Sequence, residues 1–326
     1  MTESRRKNVI YLGPQGTYTH QAALQQFDDH DQFDLIPAKS IPECLDELEN
    51  NPCIHYAVIP LENSTNGQVV FSYDLLRDRM LKSLNPDTSS NRVIPPLQII
   101  AEQYVSIEHC LISREHLTMS ELGKYKIIRV YSHPQVWGQV NQYLKELQQE
   151  YPNTTFEKLD TSSTSEAVIK VMDSKTNEHE NVLNLAIASE FAAKLNKVNV
   201  LQRGINDQLG NTTRFMVFKK RKEQSPAMKC AGSKVNLLTF TTKQDDPGAL
   251  VDVLTVLKDY SVNMCSINTR PFNTVTLERK WQYVFFLEYY ENNENIDWTK
   301  FYQQFGSYCL EWCLWGTFYR DPRYYN

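Results

Sequence analysis

The sequence predicts an α/β protein followed by a smaller βαββαβ domain. Three observations carry this expectation. Short apolar strands alternate with glycine- or hydroxyl-rich turns and helices through about residue 218. A charged, Pro-bearing stretch, residues 219–229, then breaks the pattern and reads as a linker. From Ser233 onward the elements run strand, helix, two strands, helix, strand, the split βαβ order of ferredoxin-like domains.

Residues 8–12 form a short apolar strand that runs into Gly13-Pro14-Gln15-Gly16-Thr17 and then a helix from about Thr19 to Phe27. Ser40, with Glu43 three residues on, makes a capping box for a helix reaching Asn50. Tyr56-Ala57-Val58-Ile59 is a fully apolar strand, expected to end at Pro60. Residues 83–96 are a turn-rich loop, and strands occupy 97–113. Residues 126–131 form another strand, and the pattern predicts a helix from Pro134 to about Gln149. Residues 164–173 read as a helix, 183–188 as a strand, and 215–218 as the strand that closes the first domain. In the second domain, residues 235–240 are a strand, and Asp245-Asp246-Pro247-Gly248 is a turn capping the helix 249–259. Residues 262–270 and 281–290 suit a hairpin. Asp297-Trp298 open a helix, and 309–319 are a last aromatic strand.

Bulk properties narrow the function. At 326 residues the chain has room for two or three domains. A hydrophobic share of 41% is enough to build cores. A net charge of −5 argues against general nucleic-acid binding, which wants a basic face. No run of about 18 apolar residues is present to span a membrane. The apolar stretch 9–12 is too short for a signal-peptide core. The seven cysteines include no CxxC pair, so the expectation is reduced thiols in the cytoplasm and no metal site. Lys219-Lys220-Arg221-Lys222 reads as a solvated hinge, with a nuclear signal as the alternative.

Four polar clusters sit where strands end: Gly13–Thr19, Glu62–Gly67, Ser132–Gln135 and Thr161–Ser165. Open α/β sheets bind ligands off the carboxyl ends of their strands, where helix N-termini point bare N–H groups at anions. Each cluster also has an ordinary reading. Gly13–Thr17 suits a βα turn, Glu62–Ser64 an N-cap, His133 a structural turn residue, and Asp160–Ser165 capping and loop. Gln135 and Gln139 are expected to share one helix face. A fifth segment, Asn211-Thr212-Thr213-Arg214-Phe215, sets two hydroxyls and a guanidinium ahead of an apolar run. The planar fork of Arg214 suits a carboxylate, and a neighbouring Thr hydroxyl suits a leaving oxygen. A polar turn before a core strand is the plain alternative.

Taken together, these motifs resemble prephenate dehydratase, in a fungal-like form. The family's glycine-turn motif appears as Leu12–Thr19, its Pro-x-Glu-Asn-Ser motif as Pro60–Ser64, and its Ser-His-Pro-Gln motif as Ser132–Gln135, with Gln139 beyond. Thr164–Ala167, Ala186–Ser189 and the Thr-Arg-Phe signature at Thr213–Phe215 follow in order. The C-terminal part is similar to an ACT domain, through Pro247–Leu250 and Ile267–Pro271. Where the family usually reads Glu-Ser-Arg-Pro, this chain has Asn268-Thr269-Arg270-Pro271.

The resemblance implies a two-lobed catalytic domain like a type II periplasmic binding protein over 8–220. Lobe one would be about 8–104 with 204–220, and lobe two about 105–203. A linker at 221–232 and an ACT domain at 233–320 would follow. It implies a hydro-lyase that converts prephenate to phenylpyruvate, water and carbon dioxide, with no cofactor and no metal. Thr213 would assist the leaving hydroxyl. Thr17, Asn63, Ser64, Ser132, Gln139, Thr164, Arg214 and Phe215 would bind substrate, with Arg214 holding a carboxylate or fixing the Thr213 segment. L-phenylalanine would act as allosteric ligand through Gly248, Ala249, Leu250, Asn268 and Arg270. A cytoplasmic homodimer or homotetramer built through the ACT domain is implied as well. Arogenate dehydratase, whose substrate carries an amino group in place of the ketone, is the nearest alternative.

Overall fold

The structure, a computed structural model, describes residues 6–84, 90–174, 181–223, 232–243, 245–272 and 282–325. The chain forms two compact units. One is drawn from Met1–Glu43, Glu62–Gly67 and Val105–Thr213, the other from Cys44–Leu61, Gln68–Tyr104 and Arg214–Asn326.

Along the chain, β1 (Lys7–Leu12) leads through the glycine turn into α1 (Tyr18–Gln26), then β2 (Phe33–Ala38). Strands β1 and β2 pair in parallel, with Val9 opposite Leu35. The Gly13 N–H donates to the Ala38 carbonyl at 2.8 Å. A Cβ at Gly13 would stand 2.6 Å from Pro37 Cβ, so only glycine lets the turn close on β2. The capping box forms one residue out of step. Ser40 Oγ accepts from the Glu43 N–H, while the Glu43 carboxylate accepts from Lys39 N rather than Ser40 N. Helix α2 (Ile41–Asn50) follows, then β3 (Ile54–Asn63), which runs through Pro60 instead of ending there. After β4 (Gly67–Gln68) comes α3 (Val70–Lys82), for which the sequence carries no clear signal, and then β5 (Leu97–Ser106) and β6 (Cys110–Ser113).

The helix expected over 134–149 is broken. Pro134–Val136 form a short 3-10 turn after β7 (Ile127–Ser132), and α4 begins only at Asn141 and ends at Glu150. The Trp137 indole donates to Asp160 at 2.7 Å, and exposed Gly138, a poor helix former, follows. Gln135 and Gln139 therefore do not share a helix face.

Then come β8 (Thr155–Asp160), α5 (Thr164–Asp173), β9 (Val182–Ala188), α6 (Glu190–Asn196) and β10 (Asn199–Gln202). Five strands make one sheet in the order β10-β6-β9-β7-β8. Its two faces are both buried. Leu111, Val130, Leu185 and Ile187 pack with Leu144 and Leu147 of α4, while Cys110, Ile112, Ala186 and Ala188 pack with α5 and α6. Burial on both sides is why the inner strands β6 and β9 read as largely apolar runs.

Strand β11 (Thr212–Lys220) precedes β12 (Lys234–Phe240), α7 (Ala249–Asp259), β13 (Met264–Phe272), β14 (Gln282–Tyr290), α8 (Trp298–Ser307) and β15 (Trp312–Tyr319). The last four strands form an antiparallel sheet in the order β13-β14-β12-β15. Leu238, Phe240, Leu287 and Tyr289 bury one face under α7 and α8. On the other face, Phe286 meets Tyr73 of α3 edge-on with centroids 5.0 Å apart. Gly316 lies so close to the Ile99 carbonyl of β5 that no side chain fits. Most of the linker, 224–231, and Trp281 of the expected hairpin lie outside the described residues. No described helix is long and apolar enough to cross a membrane.

The glycine turn also carries a buried titratable group. His20 stacks on Tyr11 at 4.8 Å, and its Nδ1 accepts from the Gly16 N–H at 3.1 Å, so the ring must stay neutral to hold the turn. Burial pushes its pKa down from 6.5 to about 4. The unfolded chain takes this proton near 6.5 and the folded chain only near 4. The resulting stability is therefore whole above 6.5 and is lost as pH falls toward 4, at most about 3 kcal/mol. Urea denaturation at pH 7 and pH 4.5 should show a smaller loss in His20→Gln than in the wild type. Equal losses in both proteins would contradict this.

Candidate functional site

The Asn211–Phe215 segment, for which a polar turn is the plain alternative, is strand from Thr212 onward. β11 begins at Thr212, so Thr213 and Arg214 both lie within the ladder and project to opposite faces. Gly210, at φ 79°, supplies the left-handed turn just ahead. Ser64 zips the end of β3 to this segment. Its N–H donates to the Thr212 carbonyl at 2.8 Å, and its Oγ accepts from the Thr212 N–H at 2.9 Å.

Asn63 is the hub. Its Oδ1 accepts from the backbone N–H groups of Thr65 and Asn66 at 3.0 and 2.9 Å. Its Nδ2 donates to Asn211 Oδ1 at 2.7 Å and to Thr213 Oγ1 at 2.9 Å. Asn211 Nδ2 reaches Gln139 Oε1 at 3.2 Å, and the same oxygen lies 2.8 Å from His109 Nε2. The structure thus brings together Asn63, Ser64, Gln139 and Thr213, as well as Asn211 and His109. Neither of the last two is among the site residues expected from sequence. His109 has no motif around it, and only its burial in the fold reveals its place.

Other expected residues have more local tasks. Thr17 caps α1, accepting from the His20 N–H at 3.2 Å and donating to the Leu12 and Pro14 carbonyls. Ser132 is buried at the end of β7 and donates to the Ile187 carbonyl at 2.8 Å. His133 is a cap, with Nδ1 accepting from the Gln135 N–H. Thr164 opens α5 behind the N-cap Ser163. Next to it, Ser165 Oγ is fully buried without a hydrogen-bond partner among the described residues, and it faces Gly16. A bare buried hydroxyl costs about 1–3 kcal/mol unless something else satisfies it.

The Arg214 guanidinium meets protein carboxylates. Nη1 and Nη2 donate to the two oxygens of Glu288 at 2.8 and 2.7 Å, and Nε donates to Glu102 at 2.8 Å. Arg320 completes the group, donating to Glu102 at 2.9 Å. All four side chains are buried. Burial alone would pull the Arg214 pKa down. Glu288 and Glu102 outweigh that and hold it well above its ordinary value, so the group stays charged. Phe215 is a core residue, 1% exposed.

In the second sheet, Asn268 and Arg270 project from one face of β13 toward α3. Asn268 donates to the Tyr73 hydroxyl at 2.9 Å, and Arg270 Nε donates to Asp74 at 2.7 Å. Gly248, at φ 89°, is the N-cap of α7, and Ala249 and Leu250 are its first residues.

A family model described as prephenate dehydratase matches residues 9–223. The chain is 52% identical over 331 residues to a probable prephenate dehydratase of Saccharomyces cerevisiae, covering 99% of each chain. It is 29% identical to the prephenate dehydratase of Lactococcus lactis, covering 88% of each. The fold is similar to the crystal structure of the Arthrobacter aurescens prephenate dehydratase in complex with L-Phe, at a TM-score of 0.72 and 22% identity. That match covers 96% of this chain and 90% of the other.

Proposed function

The chain belongs to the prephenate dehydratase family, and on that premise we propose that Thr213 eases hydroxide out of prephenate. The reaction turns prephenate into phenylpyruvate, carbon dioxide and hydroxide, which ends as water. The ring becomes aromatic as both groups leave, so the drive is internal to the substrate. The protein's part is to hold a dianion, keep water out and stabilise the charge that grows on the departing oxygen.

One observation carries the reading. Asn63 Nδ2 can only donate, so Thr213 Oγ1 accepts there at 2.9 Å and its own proton points elsewhere. A hydroxyl so placed is a donor for a leaving oxygen. Full proton transfer is not required, since a Thr hydroxyl is a weak acid and a hydrogen bond in a dry site suffices. In this reading Arg214 takes the second of its expected roles and fixes the strand beside Thr213. Asn63, Ser64 and Gln139 shape the site around Thr213. Ser132 and Phe215 support it from the core. Backbone N–H groups near Thr17 and the start of α5, with Thr164 and the Ser165 hydroxyl, add neutral donors for the carboxylates. Thr213→Ala should lower kcat about 10²-fold or more with a smaller change in KM, assayed on prephenate and arogenate side by side. Near-normal turnover would remove Thr213 from this role, and a preference for arogenate would reassign the substrate.

Residues 233–320 are read as an ACT domain, with 8–104 plus 204–220 and 105–203 as the two lobes of a periplasmic-binding-protein-like catalytic domain. The βαββαβ order and the bound L-Phe of the Arthrobacter relative support this. L-phenylalanine is the proposed feedback ligand, acting through Gly248, Ala249, Leu250, Asn268 and Arg270. The bonds from Asn268 and Arg270 to α3 give a bound effector a path out of its own sheet. A cytoplasmic homodimer or homotetramer fits the same reading. Isothermal titration should show phenylalanine binding below millimolar concentration, and no binding at millimolar levels would exclude the effector.

A further inference from the structure

The hydrogen bonds around Asn63 determine one another in sequence. Backbone N–H groups of Thr65 and Asn66 cannot accept, so the Asn63 atom facing them at 3.0 and 2.9 Å is the oxygen. Asn63 Nδ2 is then the donor to Thr213 Oγ1 and to Asn211. The Asn211 atom it meets is therefore Oδ1, which turns Asn211 Nδ2 toward Gln139 at 3.2 Å. The Gln139 atom there is an acceptor, Oε1. That oxygen carries no hydrogen, so His109 Nε2, 2.8 Å away, must be protonated. His109 Nδ1 lies 3.2 Å from the Tyr18 hydroxyl. His109 is 1% exposed, and burial lowers its pKa against the opposing pull of Gln139, so the ring is neutral. Nδ1 is then bare, and the single Tyr18 hydroxyl proton is shared between it and the Glu108 carbonyl, each 3.2 Å away.

We propose that His109 is a positioning residue for the dehydratase reaction. Its neutral Nε2–H tautomer holds the amides of Gln139 and Asn211 so that Asn211 offers Oδ1 to Asn63 Nδ2. Asn63, itself oriented by the Thr65 and Asn66 N–H groups, then stays in place as the donor to Thr213. The opposite tautomer would put a lone pair against Gln139 Oε1. Gln139 would flip to restore the bond and Asn211 would follow, setting its NH2 against Asn63 Nδ2 and displacing the amide that donates to Thr213. His109 therefore bears on the placement of the Thr213 hydroxyl through three intervening amides. This inference rests on the Thr213 reading for its catalytic meaning, whereas the tautomer itself does not depend on that reading.

The tautomer is read directly by NMR of the full-length protein carrying 15N-labelled histidine. Long-range 1H–15N correlations should show His109 with Nε2 protonated and Nδ1 bare. A protonated Nδ1 with bare Nε2 would overturn the proposal whatever the activity. Two variants give the functional arm. His109→Leu removes the donor and should lower kcat roughly 10- to 100-fold, with KM changed much less, as small misplacements of a catalytic group do. His109→Gln retains an amide donor for Gln139 Oε1 and should recover most of the loss. Equal kcat in the two variants, or a loss confined to KM, would overturn the positioning role. If Thr213→Ala stays active while the Nε2–H tautomer is present, the Thr213 reading fails and the hydrogen-bond assignment stands. Should either variant fail to fold, the wild-type tautomer still decides.

Discussion

Arg214, clamped between Glu288 and Glu102, is the constraint on which the strand carrying Thr213 depends. Two arginines and two glutamates, all buried, balance to zero charge. Such a cluster adds little net stability over an apolar core, because desolvation offsets most of the attraction. Deleting one member would nonetheless strand a buried charge, at a cost on the order of 3–5 kcal/mol. Its effect is to fix geometry. Adjacent residues of a strand face opposite ways, so anchoring Arg214 on one side sets Thr213 on the other. Glu102 lies on β5, Glu288 on β14, and Arg320 just beyond β15. Through Glu288, the four-stranded sheet holds the residue next to Thr213 directly, a shorter connection than the peptide linker between β11 and β12.

On the Thr213 side the chemistry is neutral. Asn63, Asn211, Gln139 and His109 form a run of uncharged donors and acceptors whose orientations follow from one another. A fixed carboxylate there would repel a dianionic substrate. In the proposed reading, a neutral network avoids that while directing the Thr213 hydroxyl proton toward an oxygen that becomes negative only as the reaction proceeds. This is preorganisation in the electrostatic sense, with the dipoles set before charge appears.

Much of this was legible in the sequence. Apolar runs mark β1 and β9, buried on both faces, and glycine and cap signals place α1, α5 and α7. The expected Thr213 accepts a hydrogen bond from Asn63, the hub of the network. What escaped has physical causes. Helix α3 buries Ser72 and Arg79 among its apolar residues, so its periodicity is blurred. Strand β8 is a half-exposed edge of mixed polarity, and β10 has four residues. The helix expected over 134–149 looked continuous because neither the Trp137–Asp160 bond nor the weakness at Gly138 shows in a periodicity. The partners of Arg214 are 112 and 74 residues away in sequence, and His109 and Asn63 are joined only through side chains brought together by folding. Local pattern carries no record of such contacts.

The direction of the Asn63–Thr213 hydrogen bond is the central claim, and Asn63→Asp tests it most directly. The carboxylate keeps the shape and still accepts from the Thr65 and Asn66 N–H groups, yet it offers Thr213 an acceptor in place of a donor. Thr213 would then give its proton to that carboxylate and not to the leaving oxygen. At saturating prephenate, with folding verified by circular dichroism, the account predicts a fall in kcat of about 10²-fold, the scale expected for a lost transition-state donor. A kcat close to that of the wild type would contradict it.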